Sequence, residues 1–398
     1  MRLVLPVLAL IALAFPAPAM AQVQVADSGD TAWMLICTAL MLFAAIPGLA
    51  LRFAGAVPAR DASAAMARMV IAAAIAALLW AAAGNMLAYA PGPLWFGDLR
   101  HVSPQDMAAL RPGMTIPEIA FLFFQLSVAS MACGLLTGAF GGYRLLPVTL
   151  LVMLWLLLVY TPVVRAVSAG GWLAQAGVVD FSSALALHLA TGVSALTAAV
   201  MRGLRHPADD HAPGAPVLGL TGCALVWLGS LGLSGGWTFG ATADGIAAIL
   251  NTHLAACAAA LGWAVMERVR TGHATAGGMG CGALAGLAAI SASAGFTDMP
   301  GAILTGLCAG VLGQFASATA RLLRAWDPAN IFAVHAVGGA TGALMLALVN
   351  SRSPVDVRLV NQAVGVGAVI LWSAAVTALL TLPLLLLKPA RSESGHSP

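Results

Sequence analysis

Charge is what this sequence most conspicuously lacks. Only 8% of its 398 residues are Asp, Glu, Lys or Arg, where a soluble domain carries about a quarter. A water-facing surface cannot be assembled from so few charges, so most of the chain must face lipid or its own helices. Hydrophobic residues make up 61% of it, and the mean hydropathy is +0.94. Also missing are the signatures of energy-coupled and hydrolytic machinery: no G-x-x-x-x-G-K-[ST], no dinucleotide fingerprint after a strand and no H-E-x-x-H. These absences exclude ATP-driven pumping and metallohydrolase chemistry, and the chain is read as a protein that is not an enzyme and carries no cofactor. The six cysteines, Cys37, Cys133, Cys223, Cys257, Cys281 and Cys308, lie inside apolar runs without a C-x-x-C or a Cys/His cluster. They read as small hydrophobes in packed helices, with no metal site. A net charge of +3 gives no reason to expect a nucleic-acid partner.

What the sequence has is long, continuous apolar stretches rich in Ala, Leu and Gly. Barrel strands would alternate apolar and polar residues, so the fold class is all-α, with the lipid bilayer as solvent. At roughly 20 residues per span, the breaks predict eleven transmembrane helices at 30–53, 64–89, 117–141, 145–166, 180–201, 216–235, 243–268, 276–294, 300–323, 331–350 and 361–387. Before them, Arg2 precedes a short apolar run, Leu3 to Phe15, and Ala19-Met20-Ala21 gives an A-x-A pattern. This reads as a cleaved signal peptide, residues 1–21, ahead of a transmembrane domain, 22–387, and a short cytoplasmic tail, 388–398. With the mature N-terminus outside, the inner loops carry Arg52, Arg60, Arg68, Arg144, Arg202, Arg205, Arg268, Arg270, Arg321, Arg324, Lys388 and Arg391. The outer loops carry only Arg100, Arg111, Arg165, Arg352 and Arg358. That bias predicts a multi-pass inner-membrane protein with N-out, C-in topology.

Two helices carry a common pattern. Helix five has Asp180-Phe181, then His188 and Gly192; helix ten has Asn330-Ile-Phe332, then His335 and Gly339. The two lie five apart in order, an odd spacing, so they run in opposite directions. Two inverted five-helix repeats are expected, with a peripheral eleventh helix and a site at the repeat interface. Ionisable groups at bilayer depth are costly and mark either a site or a satisfied structural bond. His253, in the polar cluster Asn251-Thr252-His253, is assigned to hydrogen bonding between helices. His188 and His335 would instead meet on the repeat axis. Two imidazoles in contact can share one proton between facing nitrogens. Burial without a counter-charge keeps both rings neutral. Such a passage suits a small neutral hydrogen-bonding molecule and opposes a bare cation. Asp180, at the start of helix five, reads first as a cap on free backbone N–H groups.

The chain resembles the ammonium transporter (Amt/Rh/methylammonium permease) family from about Thr31 to Leu387. The resemblance rests on Thr31-Ala-Trp-Met with Ile46-Pro-Gly-Leu, on Phe124-Gln125, and on Gly170-Gly-Trp-Leu-Ala-Gln-Ala-Gly-Val-Val-Asp-Phe181 followed by His188. It also rests on Asn251-Thr-His-Leu-Ala-Ala256 and Phe332-Ala-Val-His-Ala-Val-Gly-Gly339. It implies a homotrimer with one pore per subunit, twin pore histidines at His188 and His335, and ammonium that is recruited outside, loses its proton and crosses as ammonia. Asp180 matches the family's acid near the recruitment site. The family's paired Phe gate corresponds here to Val128 and Leu233, its outer Trp to Ser168, and a recruitment Ser to Trp237. The vestibule therefore reads as rebuilt, with Trp237 as either the cation–π face or an interfacial anchor. The inner acid before the second histidine is Asn330. The long tail that docks PII-type regulators is reduced to Lys388 through Pro398, which puts such a partner in doubt. A sensor-like paralogue without appreciable flux and a less selective Rh-like pore are the alternatives.

Overall fold

The computed structural model describes residues 25–98, 107–141, 143–203, 215–322, 327–352 and 356–386. The signal peptide and the tail read from the sequence lie outside them. Among the described residues the fold is helical, with one isolated bridge, Leu110 to Pro117, in the loop before Glu118. Eleven helices follow in order: α1 Ser28–Ala56, α2 Ala59–Tyr89, α3 Glu118–Phe140, α4 Leu145–Gln175, α5 Ala184–Arg202, α6 Pro216–Gly236, α7 Ala243–Thr271, α8 Ala276–Ile290, α9 Met299–Leu322, α10 Phe332–Val349 and α11 Leu359–Leu385. Ten are long and apolar enough to cross a bilayer; α8 is the shorter one.

Local chemistry sets the ends. Asp27, Thr242 and Thr275 accept from backbone N–H groups at the starts of α1, α7 and α8, satisfying donors that lack intrahelical partners. Gly203 and Gly272 close α5 and α7 with left-handed backbone, the usual glycine stop. α8 ends at Ile290, short of the expected 294, because the chain turns there. The carbonyls of Ser291 and Ala292 then accept from Ser182 and Phe181 ahead of α5.

Without a hydrophobic drive between helices in lipid, close approach comes from small residues. On α9, an added Cβ at Gly306 or Gly310 would stand 2.2 Å from the carbonyl oxygens of Ala255 and Ala259 on α7. On α8, Gly282 and Gly286 meet the same two carbonyls at 2.7 and 2.5 Å. α7 is thus clasped between its neighbours at backbone contact distance.

Four arginines counted above as loop charges, Arg52, Arg68, Arg165 and Arg202, are buried. Arg165 lies within α4 and donates to four carbonyls, those of Ala88, Ala90, Gly92 and Pro93, fixing the chain after α2. Arg202 bonds the carbonyls of Ala139 and Gly141 and lies over the Tyr143 ring. Arg52 donates to the Ala329 carbonyl at 2.9 Å and to the Cys281 sulfur at 3.1 Å.

Candidate functional site

His188 and His335 meet. Their Nδ1 atoms are 3.0 Å apart and their ring planes lie within 11° of each other. Both side chains are buried, at 3% and 4% exposure. Each stands in a single wide π-helical turn, Ala184–Leu189 or Phe332–Ala336, that continues into ordinary helix. Such turns recur at functional sites because they re-aim side chains. The glycine four residues after each histidine explains the contact. A Cβ at Gly192 would fall 2.3 Å from the Ala336 nitrogen, and one at Gly339 would fall 2.6 Å from the Ala184 oxygen. Only a hydrogen at both positions lets α5 and α10 cross closely enough for the rings to touch.

The entry to each histidine turn is built the same way. Asp180 accepts from the Ala184 and Leu185 N–H groups at 2.7 and 2.9 Å. Asp327 accepts from those of Ile331 and Phe332 at 2.6 and 2.9 Å. Ser183 and Asn330, three residues after these acids, both take positive φ, 71° and 53°. His188 and His335 follow eight residues after the acids. This corrects the repeat as the sequence suggested it. Asp327, not Asn330, is the counterpart of Asp180, and the Phe181/Phe332 similarity is incidental. It also moves the start of α5 from 180 to 184, since Asp180 caps the helix from outside it.

The bonding around the pair is consistent with one tautomer. The Ser291 hydroxyl donates to the Leu287 carbonyl at 2.9 Å and lies 3.4 Å from His188 Nε2. With the Ser291 hydrogen placed on that carbonyl, Ser291 would accept from His188 Nε2–H; His188 Nδ1 would then accept from His335 Nδ1–H, and His335 Nε2 would offer a lone pair.

Two hollows flank the pair, one at each end of α6. The one on the side that the charge bias assigns to the outside, about 240 Å³, is lined by Tyr89, Arg111, Met114, Phe121, Gln125, Ser168, Ala169, Trp237 and Phe239. Ser168 and Trp237 are therefore brought together. Trp237 packs against Phe124 and Phe239, with ring centroids 5.6 and 6.3 Å away. The Ser168 and Tyr89 hydroxyls are buried without a hydrogen-bond partner among the described residues. Val128 and Leu233 lie one turn deeper along α3 and α6 than Gln125 and Trp237, both closed to solvent. The hollow at the opposite end, about 320 Å³, is lined in part by Arg52, Cys223, Glu267, Cys281 and Asn330. Asn330 stands there, its amide 3.5 Å from the Cys281 sulfur.

His253 departs from its assignment. It is exposed on α7, its ring tilted against Trp227 at 5.5 Å and 3.7 Å from Cys257 in its own helix. Its neighbours make the interhelical bonds instead: Asn251 to the Ala294 and Thr297 carbonyls, and Thr252 to Ser234. No cluster of metal-ligating side chains occurs among the described residues. Arg111 was counted only as an outer-loop charge, and nothing in its sequence context placed it in the vestibule.

The Ammonium Transporter Family model matches residues 32–393. An ammonium transporter of Aquifex aeolicus is 31% identical, covering 90% of this chain and 88% of that protein. A putative ammonium transporter of Methanothermobacter thermautotrophicus is 32% identical over 92% and 94%. Among solved structures, Candida albicans Mep2 superposes with a TM-score of 0.86 at 28% identity, covering 93% of this chain and 88% of that one. A structure titled Sensor Amt Protein gives 0.85 at 26% identity, over 94% and 97%. With a family model spanning nearly the whole chain and relatives above 30% identity over about nine tenths of it, this multi-pass membrane protein, which is not an enzyme, belongs to the ammonium transporter family.

Proposed function

We propose that this chain moves ammonium across the inner membrane as ammonia, with the proton travelling separately. The observation that carries the reading is the buried histidine pair, a neutral hydrogen-bonding step between two hollows. Ammonium and potassium are close in size, so a pore cannot sort them by fit. Moving either ion intact into an apolar lumen carries a large desolvation cost. Only ammonium can shed a proton and become neutral. The unpartnered Ser168 and Tyr89 hydroxyls supply acceptors to an arriving ammonium, and Trp237 supplies an aromatic face. Asp180 organises this end through backbone bonds rather than touching the ion. Ammonia then passes Val128 and Leu233, and an N–H reaches the lone pair on His335 Nε2. On this reading the protein works as a homotrimer with N-out, C-in topology.

The likeness to a structure titled Sensor Amt Protein, together with the solvent-closed Val128 and Leu233, supports a second reading, ammonium sensing without appreciable flux. Proteoliposomes separate the two. Ammonium pulses should give a saturable current or a lumenal pH change, potassium pulses neither, and His335→Ala should alter the response. Ammonium binding with neither signal in folded protein would reject transport and leave the sensor.

A further inference from the structure

The outer hollow already contains a cation. Arg111, on the loop just before α3, sets its guanidinium carbon 3.5 Å from the centre of the Phe121 ring and 5.5 Å from that of Tyr89. The geometry is that of a cation bound on an aromatic face. The group is held there. Glu118, at the first position of α3, accepts from Arg111 Nη1 at 2.7 and 2.9 Å, and the two side chains are 17% and 20% exposed. The loop is pinned in turn: Arg111 N–H donates to the Ile116 carbonyl and Glu118 N–H to that of Ala109. Asp27 N–H donates to Thr115, whose hydroxyl donates to Asp30. Arg111, Phe121 and Tyr89 line the hollow; Glu118 does not. The pair is neutral as a whole, but its positive end faces the cavity and its negative end is turned away.

We propose that Arg111 is a built-in competitor. It occupies the Phe121–Tyr89 face that a small external cation would take, and its guanidinium weakens the mouth's hold on ammonium. This rests on the ammonium reading above and adds a residue that sets affinity for that substrate. Ammonium entering this small space loses one aromatic wall and meets a like charge within a few ångströms. Both effects favour release of a proton before the molecule moves deeper, because ammonia is indifferent to the guanidinium.

The test is equilibrium binding of radiolabelled methylammonium to purified protein, with free guanidinium ion as competitor. Arg111→Gln should bind methylammonium roughly three- to tenfold more tightly than wild type. Guanidinium should compete with methylammonium in the variant, whose aromatic face is vacated, and not in wild type, where that face is filled. Arg111→Lys, which keeps the charge beside Glu118, should stay near wild-type affinity. Equal affinity in wild type and Arg111→Gln, equal competition by guanidinium in both, or no binding by either folded protein would overturn the proposal. Should Arg111→Gln fail to fold, Glu118→Gln carries the test with opposite sign. An uncompensated Arg111 should weaken methylammonium binding by a similar factor, and unchanged binding would overturn the proposal. Flux is read separately. A binding shift with no ammonium-evoked current or pH change in either protein would leave the role of Arg111 standing and remove the transport reading.

Discussion

Gly192→Ala puts the spacing of the histidine pair to a direct test. The added Cβ would lie 2.3 Å from the Ala336 nitrogen and 2.7 Å from the Ala336 Cβ. These atoms belong to the backbone and first side-chain carbon of a helix, so no flexible group can step aside. Carbon contacts settle near 3.5 Å, so α5 and α10 must part by roughly 1 Å. That displacement stretches the 3.0 Å Nδ1 contact to about 4 Å, beyond hydrogen-bonding range. Overpacking of this kind costs about 1–3 kcal/mol, and the broken buried hydrogen bond adds about 1–3 kcal/mol. Thermal unfolding in detergent and ammonium-evoked lumenal pH change in proteoliposomes read the two consequences. Both should fall, flux by tenfold or more per folded molecule. Gly339→Ala should act in the same direction but somewhat less, because its new Cβ would meet its nearest backbone atom, the Ala184 carbonyl oxygen, at 2.6 Å rather than 2.3 Å. The control is Gly310→Ala, whose clash with the Ala259 carbonyl at 2.2 Å is as severe but lies between α7 and α9. It should lower stability and spare flux per folded molecule. If Gly192→Ala leaves flux unchanged, helix spacing does not set the pair and the account of the repeat glycines is wrong.

Two further outcomes follow from the site. Val128→Phe with Leu233→Phe should sharpen the preference for ammonium over methylammonium if these residues form the mouth's constriction. Unchanged relative uptake rates would remove that assignment. Asp327→Ala should destabilise the protein by about 1–2 kcal/mol, as removal of a helix cap does, and by about as much as Asp180→Ala. Asn330→Ala should cost less, and a ranking by unfolding midpoint that put Asn330 above Asp327 would restore the register the sequence suggested.

Much of the fold was legible because a bilayer imposes a coarse rule: one apolar run per crossing. All eleven runs became helices, with ends displaced where side chains rather than backbone do the terminating, as at Asp180. The histidine pair was legible because two ionisable residues at matching depth are too costly to be accidental. The detail of the repeat was hidden by a decoy. Phe181 and Phe332 look alike in sequence, but what the two halves share is an acid accepting from N–H groups four and five residues on. Asp327, followed by Pro328 in a polar connection, gave no sign of that role. Three-dimensional placement hid the rest. Arg111 and Arg165 were both counted as outer-loop charge, yet one lies on an aromatic face in the vestibule and the other serves four carbonyls. His253 sits beside two residues that do bond between helices, and its neighbours' role was extended to it wrongly.

The matched entries to the two histidines show how the contact is divided between the two halves of the chain. Acid, left-handed residue, histidine and glycine recur at one constant separation along the chain, 147 residues for the histidine pair. Neither set makes a ring contact alone; each supplies half of it, pointing the opposite way. The two halves therefore share one device at their meeting point and differ at their far ends, where Arg111 and Trp237 line one mouth and Arg52 and Cys281 the other.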